Sequence, residues 1–183
     1  MKFEATTIPG VFTVVLDRHV DARGSFARLF CQDDFAAAGL ETRFVQQSLS
    51  MTSRAGTLRG MHYQRKPHEE VKFVRCVRGA VYDVVADLRP DSPTFRRWQA
   101  FELSVHSDLA VYIPKGCAHG FQTLVDDVEI LYQMTVPYAA VAADGFRYDD
   151  RMIGITWPLP VTMIADKDLT WPRITEDGPV PPL

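Results

Sequence analysis

A succession of short β-type runs separated by turn residues limits what this chain can fold into more than any other feature. Runs of this kind cover residues 11–17, 71–78, 80–89, 97–103, 109–113, 119–125 and 128–135. One segment, residues 33–40, has a helical pattern, with acids at its start and Gly39 at its end. Many short strands with little helix predict an all-β sandwich or barrel. The pattern alone leaves a jelly roll and an immunoglobulin-like sandwich both open.

Two of the runs, residues 71–78 and 80–89, carry the strongest strand signal, and Gly79 between them indicates a bend or bulge. Side chains alternate between the two faces of a strand. Residues 81, 83, 85 and 87 of the second run therefore share one face, and residues 80, 82, 84, 86 and 88 share the other. In the first run, Lys72 shares its face with Val74 and Cys76.

Length and composition indicate one globular domain over residues 1–183, with 176–183 as an irregular peripheral tail. A formal net charge of -3 gives no general electrostatic case for binding nucleic acid or a membrane surface. The three cysteines form no CxxC pair, which fits a reducing compartment. The sequence shows no signal-peptide core and no apolar run of membrane-spanning length. We therefore expect a cytoplasmic protein.

Polar residues among apolar ones mark the candidate chemistry, beginning with residues 57–64, which read TLRGMHYQ. His62 in this segment is either a functional base or a core histidine bonded to a backbone carbonyl. Lys72 is either a strand-edge lysine or a buried amine with a function, and its apolar neighbours favour the second.

Three further segments carry candidate groups. His119 follows a strand and a tight turn, and Tyr132 shares a face with Ile130 and Met134. A hairpin turn and a core tyrosine are the ordinary explanations. Residues 166–168 (DKD) have the pattern of a solvated charge run. Cys117 is expected to be a small buried side chain and not a nucleophile.

These groups would form one site if the fold places them close together. A barrel interior does this for alternate residues of distant strands. A histidine base, a carboxylate that orients it, a lysine near a developing oxyanion and a tyrosine acid would form a proton-transfer site.

Over residues 8–172 the sequence closely resembles the dTDP-4-dehydrorhamnose 3,5-epimerase family. The matching strings, in order, are DARGSF (21–26), LRGMHYQ (58–64), KFVRC (72–76), YDVVADLR (82–89), SPTF (92–95), IPKGCAHGF (113–121), LY (131–132), WP (157–158) and DKD (166–168). Their common order and spacing make the resemblance specific. It implies a cupin-type β jelly roll with one or two short helices, assembled as a homodimer.

The resemblance also implies roles for individual residues. His62 matches the base that removes a proton beside a sugar ketone, Asp168 its carboxylate partner, Tyr132 the acid and Lys72 the residue that stabilises the enolate. The positions that bind the nucleotide-diphosphate sugar in the family are occupied here by Arg23, Gln46, Ser48, Arg59, His119, Tyr138 and Lys167. The ketone acidifies the neighbouring protons, so this chemistry requires no metal and no organic cofactor.

Two positions depart from the family pattern near the nucleotide side. The chain has Arg28 where the family commonly has an acid, and Ser48 where it commonly has asparagine. The first change reverses a charge and the second shortens a hydrogen-bonding arm. A GDP-, CDP- or UDP-linked sugar therefore stays open beside the dTDP-linked one.

Other activities also stay open. A monofunctional 3- or 5-epimerase and a ketoisomerase use the same kind of proton transfer. A metal-dependent cupin is suggested by Pro114, Gly116 and His119, although His62 lacks an HxH partner. A non-catalytic sugar-nucleotide binding module would be expected to lack the base or the acid, and both His62 and Tyr132 are present.

Overall fold

The computed structural model describes residues 1–174. Within them it has fourteen β-strands and two short helices. The strands are β1 (Lys2–Ala5), β2 (Phe12–Val15), β3 (Arg18–Asp21), β4 (Gly24–Ala27), β5 (Gln46–Thr52), β6 (Thr57–Gln64), β7 (Lys72–Arg78), β8 (Ala80–Asp87), β9 (Trp98–Ser104), β10 (Leu109–Ile113), β11 (Cys117–Thr123), β12 (Val128–Met134), β13 (Ala143–Gly145) and β14 (Met163–Ile164). The helices are α1 (Gln32–Ala37) and α2 (Asp166–Thr170). The expected tail, residues 176–183, lies outside the described residues.

Two large sheets face each other and form a β-sandwich, which confirms the predicted all-β class. The first sheet has the strand order β1-β2-β10-β7-β12-β5, and the second has β13-β6-β11-β8-β9 with β14 beside β6. Strands β3 and β4 form a separate two-stranded hairpin. The β14 strand runs parallel to β6, whereas the other pairings are antiparallel.

The main apolar core lies between the two sheets. Val74 and Cys76 of β7 and Val81 and Val85 of β8 belong to it, so the predicted alternation of these strands is confirmed. Each sheet is also covered on its outer face. Phe35 of α1 packs in an aromatic cluster over the first sheet, and the segment from Phe146 onward packs over the second.

Gly79 is the bend between β7 and β8, and its φ is +74°. A Cβ there would also lie 2.9 Å from Cγ2 of Val128. Because β7 belongs to the first sheet and β8 to the second, the glycine marks a crossover between the sheets. The turn before β11 is likewise a crossover, because β10 and β11 belong to different sheets. The hairpin interpretation of that turn was therefore wrong.

One other expectation from local pattern was wrong. Residues 166–168 are not a solvated charge run, because they open helix α2 and Asp168 is buried. Cys117 is buried as expected, and burial raises the pKa of its thiol to about 12. In residues 1–174 no helix is long and apolar enough to cross a membrane.

Candidate active site

A cavity of about 770 Å³ opens between the two sheets. Strands β5, β7 and β12 supply one wall, and β6 and β11 supply the opposite one. The loop before β13 and helix α2 complete the lining. Ten of the eleven site residues that we expected line this cavity: Gln46, Ser48, Arg59, His62, Lys72, His119, Tyr132, Tyr138, Lys167 and Asp168.

His62 and Asp168 form a hydrogen-bonded pair at the wall made by β6 and α2. Nε2 of His62 lies 2.6 Å from Oδ1 of Asp168, although the residues are 106 positions apart in the chain. The His62 side chain is 42% exposed, whereas that of Asp168 is 6% exposed. Because the carboxylate accepts at Nε2, the ring Nδ1 is left as the nitrogen able to take a proton from a ligand.

Asp168 is held by further donors. The backbone N–H of Gly60 donates to Oδ2 at 3.1 Å, and the indole N–H of Trp171 donates to Oδ1 at 3.2 Å. Burial by itself raises the pKa of Asp168, but the hydrogen bond and charge of His62 and the other two donors outweigh it and lower that pKa below its ordinary value. The carboxylate therefore stays charged and can stabilise a protonated His62.

Tyr132 comes from β12 in the opposite sheet, where its neighbours across the strands are Ser48 and Val74. Burial raises the pKa of its phenol and the negative charge of Asp83 adds to that effect, while Arg59 and a hydrogen bond with Ser50 oppose it. The hydroxyl is therefore kept protonated, which is the state that a proton donor needs.

His119 and Asp83 form a second histidine–aspartate pair, with Nε2 and Oδ2 2.7 Å apart. Both side chains are buried. His119 is the direct cross-strand neighbour of His62, and its ring packs edge-on against Tyr132 at 5.9 Å. His119 thus connects the two walls of the cavity.

Lys72 and Glu70 form an ion pair in the first wall. The side chains are 12% and 4% exposed, so this ammonium group is largely out of water. The expectation that Lys72 is a buried amine and not an edge guard is thus correct. A charge held there can stabilise negative charge on a bound ligand.

The other expected binding residues that line the cavity also make contacts within the protein. Gln46 accepts a hydrogen bond from the backbone N–H of Tyr138 at 2.9 Å, and Ser48 follows it on the same face of β5. Arg59 donates to the hydroxyl of Thr52 and to the carbonyl of Met51. The ammonium group of Lys167 lies 5.1 Å from the ring centre of Trp171.

Arg23 is the exception among the expected residues. It lies at the tip of the β3–β4 hairpin, its side chain is 90% exposed, and its guanidinium group pairs with Asp21 at 2.6 Å. It does not line the cavity of its own chain. Arg28 follows the same hairpin and lies 3.9 Å from Asp34, so this departure from the family pattern is also outside the cavity, whereas Ser48 is inside it.

Sequence reasoning missed several cavity residues. Glu70 lies just before strand β7, and Ser50 lies in strand β5, which was not predicted, so alternation along a predicted strand could not identify either of them. Trp171 carried no usable signal, because its position depends on how α2 folds back on β6. No group of three or more His, Cys, Asp or Glu side chains within residues 1–174 is arranged to hold a metal ion.

The arrangement is suited to moving protons at a carbon beside a carbonyl. It offers a carboxylate-backed imidazole on one wall, a protonated phenol on the other and an ammonium group nearby. A β-sandwich with such a cavity defines an isomerase-type or lyase-type proton-transfer protein.

Comparison with known proteins narrows this class. Residues 5–176 match the family model described as dTDP-4-dehydrorhamnose 3,5-epimerase. A Sinorhizobium fredii protein of that name is 37% identical over 177 residues, which are 96% of this chain and 91% of the relative. A Streptomyces niveus protein named dTDP-4-dehydrorhamnose 3-epimerase is 35% identical over 169 residues, which are 92% and 81% of the two chains.

Solved structures agree. The Bacillus anthracis dTDP-4-dehydrorhamnose 3,5-epimerase with TDP and PPi bound matches with a TM-score of 0.92 and 34% identity, covering 94% of this chain and 99% of that one. The Legionella pneumophila enzyme in complex with dTDP-4-keto-L-rhamnose gives 0.87 and 31%, covering 95% and 98%. The chain belongs to the dTDP-4-dehydrorhamnose 3,5-epimerase family, and its fold is the family's cupin-like sandwich.

Proposed function

We propose that this protein epimerises C3 and C5 of a dTDP-linked 4-keto-6-deoxy sugar, converting dTDP-4-dehydro-6-deoxyglucose into dTDP-4-dehydrorhamnose. One observation carries the proposal: a His62–Asp168 pair and a protonated Tyr132 reach one cavity from opposite sheets. Inversion of a carbon needs removal of a proton from one face and its return to the other. A base and an acid on facing walls meet that requirement.

In the first half of the reaction, Nδ1 of His62 takes the proton from the carbon beside the ketone. The electron pair of the C–H bond moves toward the C4 oxygen and gives an enolate. Asp168 stabilises the imidazolium that forms, and the ammonium group of Lys72 stabilises the enolate oxygen. Positioned acid–base groups of this kind contribute about 10²–10⁴-fold to the rate.

In the second half, Tyr132 donates its phenolic proton to the opposite face of the same carbon, and the carbonyl reforms. The inverted centre then carries a new proton, while His62 is protonated and Tyr132 is ionised. Proton exchange with solvent restores both groups. Repetition at the second carbon on the other side of the ketone completes the double epimerisation.

We assign the nucleotide diphosphate to the part of the cavity that Gln46, Ser48, Arg59, Tyr138 and Lys167 line. We propose that Gln46, Ser48 and Tyr138 contact the base and that Arg59 and Lys167 contact the phosphates. The thymidine nucleotide is supported by the TDP and dTDP-sugar bound to the solved relatives.

The free thiols of the three cysteines support a cytoplasmic location, where such thiols stay reduced.

The test is proton NMR of dTDP-4-keto-6-deoxyglucose with the enzyme in deuterium oxide. Exchange at C3 and C5 that is absent with His62→Ala supports the double epimerase. Exchange at C3 alone points to a monofunctional enzyme, the activity named for the Streptomyces niveus relative. No exchange with folded wild-type protein contradicts the dTDP proposal, and the GDP- and CDP-linked sugars are then compared in the same assay.

We further propose that two copies form a dimer and that Arg23 serves the cavity of the partner copy. Large apolar side chains are exposed on the hairpin (Val20 76%, Phe26 72%) and on edge strand β5 (Leu49 53%, Met51 66%). Leu49 and Met51 lie on one face of an edge strand, where an exposed apolar row is a ready surface for pairing with another chain. Since Arg23 does not line its own cavity, a second copy offers the route by which it meets the nucleotide.

Mixed dimers test this assembly. Arg23→Ala and His62→Ala are each expected to be weakly active alone, and co-refolding them is expected to restore activity, because one site of each mixed dimer then has both residues. Mixing without gain in activity contradicts the exchange of Arg23 between copies. Sedimentation of the wild type as a monomer contradicts the dimer itself.

A further inference from the structure

Trp171 lies at the wall of the cavity beside the proposed base, where three of its contacts converge. Its indole N–H donates to Oδ1 of Asp168 at 3.2 Å. Its ring packs edge-on against the imidazole of His62, with centres 6.3 Å apart and planes at 67°. The ammonium group of Lys167 covers the ring at 5.1 Å.

The indole and the imidazole share one acceptor atom. Oδ1 of Asp168 receives Nε2 of His62 at 2.6 Å and Nε1 of Trp171 at 3.2 Å, while Oδ2 receives the N–H of Gly60. Three donors, two from strand β6 and one from the segment after helix α2, fix the plane of the carboxylate. A donor that shares Oδ1 also draws negative charge away from the bond to His62.

Gly145 provides the space that lets the indole reach this position. It is the cross-strand neighbour of His62 in the β13–β6 pair. A Cβ at Gly145 would lie 2.9 Å from both Cε2 and Nε1 of Trp171. The same Cβ would lie even closer to the carbonyl oxygen of Met61, so a side chain at Gly145 would crowd both strand β6 and the indole.

We propose that Trp171 is a positioning residue for the proposed base: it fixes the Asp168 carboxylate, limits the strength of the His62–Asp168 hydrogen bond and aims Nδ1 of His62 into the cavity. The effect on turnover rests on the epimerase function proposed above. The effect on the hydrogen bond is a property of the protein without substrate. The two parts are therefore tested separately.

The first test compares Trp171→Phe with Trp157→Phe. Each variant keeps an aromatic ring and loses one indole donor, but Trp157 donates to the carbonyl of Tyr148 at 3.0 Å and packs on the outer face of the second sheet. Trp171→Phe is expected to lower kcat about 10-fold with KM within about twofold, since small displacements of a catalytic group are costly. Trp157→Phe is expected to keep the wild-type kcat.

Equal kcat in the two variants would contradict the proposal. So would a loss that falls mainly on KM, because that result would make Trp171 a binding wall only. Melting temperatures of both variants show whether either loss comes from unfolding.

The second test uses proton NMR of the substrate-free protein. The Nε2 proton of His62, identified by its disappearance in His62→Ala, is expected to move further downfield in Trp171→Phe, because His62 then no longer shares Oδ1. Trp157→Phe is expected to leave it in place. An unchanged or upfield-shifted resonance in Trp171→Phe overturns the proposal. Absence of turnover in the wild type refutes the epimerase function and leaves this test intact.

Discussion

Two histidine–aspartate pairs lie side by side in this protein, and they differ in almost everything except their chemistry. The histidines are direct cross-strand neighbours on β6 and β11, and the ring-to-carboxylate distances are 2.6 and 2.7 Å. The His62 side chain is 42% exposed to the cavity, whereas that of His119 is 5% exposed. Three donors reach the carboxylate of Asp168, but Oδ1 of Asp83 has no hydrogen-bond partner within the described residues.

The surroundings of each histidine–aspartate pair, and not the pair itself, decide its role in the reaction. His62 presents a ring edge to the cavity and has a carboxylate that stays charged, so we assign it the proton transfer. His119 is enclosed and packs against Tyr132, while the charge of Asp83 helps to keep that phenol protonated. We therefore expect the buried pair to support the acid and the exposed pair to supply the base.

The largest difference is expected when each histidine is removed. His62→Ala should lower turnover by about 10²–10⁴-fold, since a positioned base contributes that much, with a smaller loss of stability, because Asp168 keeps the donors Gly60 and Trp171. His119→Ala should destabilise the protein by about 3–5 kcal/mol, because it leaves a buried carboxylate without its partner. Steady-state kinetics and urea unfolding of both variants measure this contrast, and the reverse pattern would refute our assignment.

A smaller difference between the two pairs is expected when each carboxylate is replaced by an amide. Asp168→Asn should cost about 100-fold in kcat, because the amide cannot stabilise a protonated His62 as a carboxylate does. Asp83→Asn should reduce kcat less and lower the pKa of Tyr132, because the charge that raises it is gone. Steady-state kinetics of the two variants measure this contrast, and a loss of kcat in Asp83→Asn as large as that in Asp168→Asn would contradict it.

Sequence alone predicted the parts of the fold that local pattern controls. Residues 109–113 were assigned their observed limits, and Gly79 was identified as a bend. Strand β5 was missed because its residues, QQSLSMT, are polar on one face and exposed on the other. Helix α2 was missed because it is five residues long and its acids resemble a charge run.

The candidate site was less predictable from local sequence pattern than the fold. No local pattern joins His62 to Asp168, which is 106 positions away, and only the resemblance to a family brought them together. Glu70 lies just before strand β7 and outside the predicted run, so no local pattern predicted its ion pair with Lys72. The contact of Trp171 with Asp168 depends on the space left by Gly145 on a third segment, and such coincidences become visible only in the folded chain.

The smallest expected effect is on stability at acid pH. The pKa of Asp168 in the folded state is lowered from 3.8, so its contribution to stability is complete above 3.8 and is lost as the pH falls through the lower folded value. The difference in unfolding free energy between wild type and Asp168→Asn should therefore be constant above 3.8 and shrink below it. Urea titrations across this pH range measure the difference in unfolding free energy. A difference that grows as the pH falls would contradict the expected sign of the effect.

The central claim, that the base and the acid act from opposite walls, is tested most directly with Tyr132→Phe in deuterium oxide. This variant keeps His62 and Asp168 and lacks the proton donor. We predict that it exchanges the C3 and C5 protons of dTDP-4-keto-6-deoxyglucose with retained configuration, because His62 returns deuterium to the face from which it took the proton. Inverted product at the wild-type rate, or loss of exchange from a folded variant, would contradict the account.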